Sequence, residues 1–80
     1  MPTVLRQRGF DVAIRPRDHG PPHVHVLHSG EEVVILLGVG DIVPRVRENR
    51  GMRERNIRKA MDIVTANNDE FLKEWQKIYG

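Results

Sequence analysis

The sequence predicts a small α+β domain. An antiparallel sheet of about four strands lies within residues 1–45, and one long C-terminal helix, about residues 53–79, packs on one face of it. Three observations lead there. Apolar and polar residues alternate at Phe10, Val12 and Ile14 and again through "HVHVLH", the period of a half-buried strand. Glycine and proline punctuate these runs at Gly9, Pro16, Gly20-Pro21-Pro22 and Ser29-Gly30. Past Gly51 the period lengthens: Ile57, Ala60, Met61, Val64, Phe71, Trp75 and Ile78 step by three, four or seven residues, as one face of a helix does.

Taken in order, "TVLRQRG" is a strand closed by a turn at Gly9. "FDVAIR" sets Phe10, Val12 and Ile14 on one side and Asp11, Ala13 and Arg15 on the other, and Pro16 ends it. "RDHGPP" is turn chemistry throughout. "HVHVLH" and "EVVILL", joined at Ser29-Gly30, form the most secure hairpin. "DIVPRVRENRG" reads as an extended edge or loop, because Pro44 disfavours both a central strand and a helix interior. The apolar stripe of the final segment stays in phase from Arg53 to Tyr79, so it reads as one helix, with Asn67-Asn68-Asp69 as the place where it would bend. Arginine stands where a serine-like cap would open it, in "GMRERN". "VVILL" is apolar on both faces, whereas one helix layer covers one face only. That predicts either cover from Ile42, Val43 and Met52 or a homodimer, with the dimer favoured.

All 80 residues form one domain, short enough that about 60% of the unfolded surface is buried on folding. There is no cysteine, so disulfides and thiolate metal sites are excluded. No apolar run reaches the roughly 20 residues of a membrane span, and Met1-Pro2-Thr3 does not open a signal peptide; the sequence predicts a cytoplasmic protein with no membrane partner. Net charge is +2, but seven basic residues against two acidic ones between Arg45 and Lys59 make a local +5. Arg45, Arg47, Arg50, Arg53 and Arg55 are therefore candidates for phosphate contact with RNA or DNA, since the guanidinium fork suits phosphate. The plainer reading is a solvated helix face and loop. With one tryptophan, one tyrosine and two phenylalanines, mostly on the helix stripe, the chain offers no stacking platform for bases.

All four histidines lie in "DHGPPHVHVLH". On a strand His23 and His25 share one face, while His28 sits with Val24 and Val26 on the other. An H-x-H pair suits a metal if further ligands join, and Glu31 or Glu32 is the nearest source; the spacing misses the cupin motif by one residue, however, and no second motif follows. The third histidine is likewise displaced from the histidine-triad hydrolase pattern. Neither a metal nor any other cofactor is therefore expected. Acid–base chemistry needs none: His19, His23 and His25, with nearby arginines, have the composition of metal-free RNA cleavage. The structural alternative is a set of histidines that caps the Pro-Pro turn.

"MPTVLR", "DHGPPHVHV" and the closing "FLKEWQKIYG" together resemble a family of small bacterial proteins known as domain of unknown function 4160, over nearly the whole chain. The resemblance implies a compact α+β domain ending in a helix and a toxin–antitoxin component, and it carries over no catalytic residue. Two functions follow. One is a toxin–antitoxin-type component that contacts nucleic acid through residues 45–59, with cleavage by the histidines left open. The other is a non-catalytic interaction or antitoxin-like module that docks a cognate toxin or antitoxin by edge pairing of the PPHVHV strand.

Overall fold

The computed structural model describes residues 3–15 and 20–79. Five strands form one antiparallel meander in the order β1 (Thr3–Gln7), β2 (Phe10–Ala13), β3 (His23–His28), β4 (Glu31–Leu36) and β5 (Arg45–Arg50), followed by helices α1 (Glu54–Ala66) and α2 (Asn68–Tyr79). The α+β class is as predicted, with one strand more and the helix divided in two.

The two-residue turns set the register. Arg8-Gly9 and Ser29-Gly30 have positive φ at both positions (56° and 81°, 49° and 79°), the mirror-image turn whose twist matches that of a hairpin. From these turns Val12, Val26 and Val33 align across three strands, with Val24 opposite Ile35. This row belongs to the core, together with Phe10, Ile14, Ala60, Ile63, Val64 and Phe71. The next row, Ala13, His25, Val34 and Glu48, points to the opposite face, as residues one step along a strand must.

β5 replaces the predicted edge or loop. Pro44 precedes the strand rather than interrupting it, and all six strand residues are exposed, so no apolar alternation marks it in the sequence. The register between β4 and β5 shifts between Val34 and Ile35, which leaves Arg47 as the extra residue of a bulge. The chain then turns at Gly51, where the Asn49 side chain accepts the Met52 N–H at 2.7 Å and donates to the Met52 carbonyl at 3.0 Å. That clamp seats Met52 in the core.

The single long helix is corrected to two. Asn67 leaves helical geometry at φ −118°, ψ 16°. The cause lies outside the helix: the Asn68 side chain both accepts from the Gly38 N–H and donates to the Gly38 carbonyl, each at 2.8 Å, pinning the chain to the exit of β4. The stripe nevertheless stays in phase, because the Asn67 carbonyl still accepts from Phe71 N–H. α1 has no cap of its own at Arg53. Glu31 of β4 holds the start of the helix instead, accepting from the Arg53 N–H at 3.3 Å and from the Asn56 side-chain amide at 3.2 Å. These two hydrogen bonds, Asn56's the stronger, hold the Glu31 carboxyl below its ordinary pKa.

Candidate functional site

The face opposite the core carries the chemistry. Register places His25 beside Val34, with Glu32 on the diagonal, and β2 delivers Arg15 to the same side. Glu32 is the hub. Its carboxylate accepts from Arg15 Nη2 at 2.8 Å, from His25 Nδ1 at 3.0 Å and from Arg50 Nη1 at 3.0 Å. Burial resists ionisation of Glu32, but the hydrogen bonds from His25 and Arg15, together with the charge of Arg15, outweigh it and lower the pKa. Arg50 also binds Glu48, which lowers the Glu48 pKa and raises that of Arg50.

His23 and His25 stand with ring centroids 5.2 Å apart and edge to face, and each is only 3% exposed. His23 Nδ1 lies 2.9 Å from the Pro21 carbonyl, and such a contact requires an N–H on that nitrogen. The Arg47 guanidinium, 3.5 Å from the same atom, therefore rests against the ring without hydrogen-bonding to it. The ring also meets Trp75, with centroids 5.1 Å apart. Trp75 comes from α2, which runs along one end of the sheet: Asn68 is tied to Gly38 after β4, and the Tyr79 hydroxyl donates to the Arg15 carbonyl after β2.

His25 Nδ1 donates to Glu32 by the same reasoning, so whichever ring is neutral carries its lone pair on Nε2. An imidazole oriented by a carboxylate or a carbonyl is ready to take a proton or to ligate. Among the described residues, however, no group of three His, Cys, Asp or Glu is placed to hold a metal ion. His28 is elsewhere, as its strand position predicts: it stacks on Phe10 at 4.2 Å and donates from Nδ1 to the Gly9 carbonyl. His19 lies outside the described residues.

The five arginines singled out for phosphate differ in their surroundings. Arg50 is tied to Glu32 and Glu48, and Arg53 to Glu31. Arg45 and Arg47 stand on β5, and Arg55 begins an exposed row on α1. Docking by edge pairing of the PPHVHV strand is closed, because β2 and β4 occupy both edges of β3. Nor does "VVILL" require a second subunit for cover: Val34 is 3% exposed within one chain, on the face that carries the Glu32 network. Ile42 and Val43, the other expected cover, remain exposed at 57% and 74%.

Three participants were missed in the sequence: Glu32 as hub, Arg15, and Trp75 as a neighbour of His23. The first was accessible. A two-residue turn at Ser29-Gly30 fixes Leu27 opposite Glu32, and hence Glu32 on the side of His25. Trp75 had no such signal, since its stripe position says only that it is core.

No helix among the described residues is long and apolar enough to cross a membrane. No curated protein and no solved structure matches the chain. The family described as Domain of unknown function (DUF4160) matches residues 9–76, a span that runs from the first turn through the PPHVHV strand to the end of the Trp75 stripe, and the chain belongs to that family.

Proposed function

We propose that this protein is a toxin–antitoxin-type component that contacts nucleic acid through the outward face of α1, with His23 and His25 serving to build the sheet rather than to cleave. One observation carries the reading. Arg55, Arg58 and Lys59 are all exposed and follow one another at helical spacing, and none has an ion-pair partner among the described residues. Residues three and four apart lie together on a helix surface, so these three cations form a compact row. Arg50 and Arg53, by contrast, are neutralised by carboxylates within the fold.

Cleavage by the histidines is the less favoured reading. A phosphodiester would have to reach Nε2 of rings that are 3% exposed.

The test is fluorescence-anisotropy binding of a single-stranded RNA and a DNA duplex across a salt series. Reversing Arg55 and Arg58 to glutamate should weaken binding to both. Each lost phosphate contact should reduce the log–log salt slope by about 0.7 for the RNA and about 0.9 for the duplex. An unchanged slope in the folded variant, or no binding by the wild type at low salt, would sink the proposal.

A further inference from the structure

We infer that the outer edge of β5 is a docking strand for an acidic, extended segment of a protein partner. This proposal does not rest on the nucleic-acid reading, which uses α1. β5 is the last strand of the sheet: it pairs with β4 on one side, and all six of its residues are exposed. An edge strand presents unpaired N–H and C=O groups, which another strand can complete.

Two features separate this edge from one that is merely guarded against aggregation. The first is apolar. The exposed large hydrophobic side chains among the described residues are Val39, Ile42, Val43, Val46 and Ile78, and all but Ile78 lie in β5 or the loop that enters it. Beside them is a hollow of about 190 Å³ lined by Pro21, Pro22, Leu36, Leu37, Val39 and Ile42, with Arg45 at its rim. Small-molecule sites usually run from about 300 to 1,000 Å³, so this recess suits a side chain better than a metabolite. The second is charge. Arg45 and Arg47 have no ion-pair partner among the described residues, and Asp41 in the adjoining loop pairs with neither.

Charge also selects the occupant. β5 carries Arg45, Arg47 and Arg50 against Glu48, so a second copy of the strand would align two net-positive segments along one seam. An antiparallel register that sets Arg47 opposite Glu48 of the other copy offers it only a carboxylate already engaged by Arg50 of its own strand, and leaves Arg45 without an acidic partner. An acidic strand meets no such conflict. Val46, opposite Ile35, and Arg45, opposite Leu36, point to opposite faces of the sheet. An incoming strand of period two would therefore lay apolar side chains on Val46 and a carboxylate on Arg45, while Arg47, whose guanidinium lies across β4 against His23, adds positive charge behind the edge. The bulge at Arg47 blunts indiscriminate pairing and leaves recognition to these side chains.

The experiment uses the full chain and a short synthetic peptide that alternates glutamate with valine and leucine. A lysine version and a version N-methylated at alternate amides serve as controls. Amide chemical shifts should move at residues 42–50, and calorimetry should show the glutamate peptide binding at least about tenfold more tightly than the lysine one. N-methylation should abolish binding, because it removes the ladder donors. The double variant Arg45→Glu/Arg47→Glu should reverse the preference while retaining RNA binding through α1. Equal affinity for the two peptides, or shifts confined to α1 or to the His25 face, would overturn the proposal. So would a β5-paired homodimer at micromolar concentration, or an RNA oligonucleotide that displaces the peptide from the same amides.

Discussion

The middle of this sheet is buried on both faces, by different means. On one, Val12, Val24, Val26, Val33 and Ile35 are fully buried in one apolar cluster with the helices. On the other, His23 and His25 are 3% exposed, and Glu32 gathers His25, Arg15 and Arg50. The first is held by area removed from water, which is non-directional and tolerates small shifts. The second depends on donors meeting acceptors, so its integrity depends on geometry and on pH. Burial on both faces thus conceals unequal sensitivity. An apolar face fails when volume is lost, and a polar one fails when a single partner is lost.

The largest effect should come from the apolar face. Ile35→Ala removes a fully buried side chain opposite Val24 and should cost about 2–5 kcal/mol, the range for such truncations. Urea unfolding at pH 5 and at pH 8 should show the same loss, since no titrating group is touched. A loss that differs between the two pH values would mean that the faces are coupled.

Glu32→Gln should come next, at about 1–3 kcal/mol, because it removes the charge that Arg15, His25 and Arg50 share and replaces one of the two acceptor oxygens with an NH2 donor. It should also change the pH profile. The folded state lowers the Glu32 pKa, so the stabilisation is fully present at neutral pH, above the unfolded pKa. It is lost as pH falls through the ordinary carboxylate range towards the lowered value. The wild type should therefore lose stability on acidification more steeply than the glutamine variant. Parallel curves would remove Glu32 as the origin of the acid limb.

The divergence between the faces also explains how much of the molecule was legible in the sequence. Face assignment was legible: alternation placed His23 and His25 together and His28 with the valines, and the register bears this out. The helix stripe was legible too, apart from Ile78, which is 38% exposed near the free end of α2, and Ile63, which is buried although the predicted stripe passed over it. What escaped were features made by distant pairs. The place of the helix break was legible at Asn67-Asn68-Asp69, but the contact behind it joins Asn68 to Gly38, thirty residues apart, and the start of α1 is held by Glu31, twenty-two residues before Arg53. No local pattern encodes either contact. β5 escaped for the opposite reason: an exposed edge strand has no buried side, and hence no hydrophobic period to read. The basic segment looked uniform because sequence shows charges and not their partners.

His25→Gln probes the polar face more gently. It removes one ring and its hydrogen bond to Glu32 and keeps an amide able to reach nearby, so the expected loss is about 1 kcal/mol. Thermal melts would measure it. An unchanged melting temperature combined with loss of binding or toxicity would assign the ring to function instead of architecture, reversing the reading proposed above.

The smallest effect sharpens the comparison within the basic segment itself. Arg50→Ala severs contacts to Glu32 and Glu48, whereas Arg55→Ala severs none among the described residues. The first should lower the melting temperature slightly and the second should leave it unchanged. Exposed ion pairs are screened by salt, with a decay length of about 8 Å at physiological ionic strength, so the Arg50 deficit should shrink as salt is raised. Nucleic-acid affinity should show the opposite ranking, with Arg55→Ala the more damaging because its charge is still available to an outside phosphate. If both variants melt alike and bind alike, the ion pairs drawn by Arg50 contribute nothing in solution. The segment would then act as one undivided patch, and the distinction between arginines held by the fold and arginines left for a partner would fail.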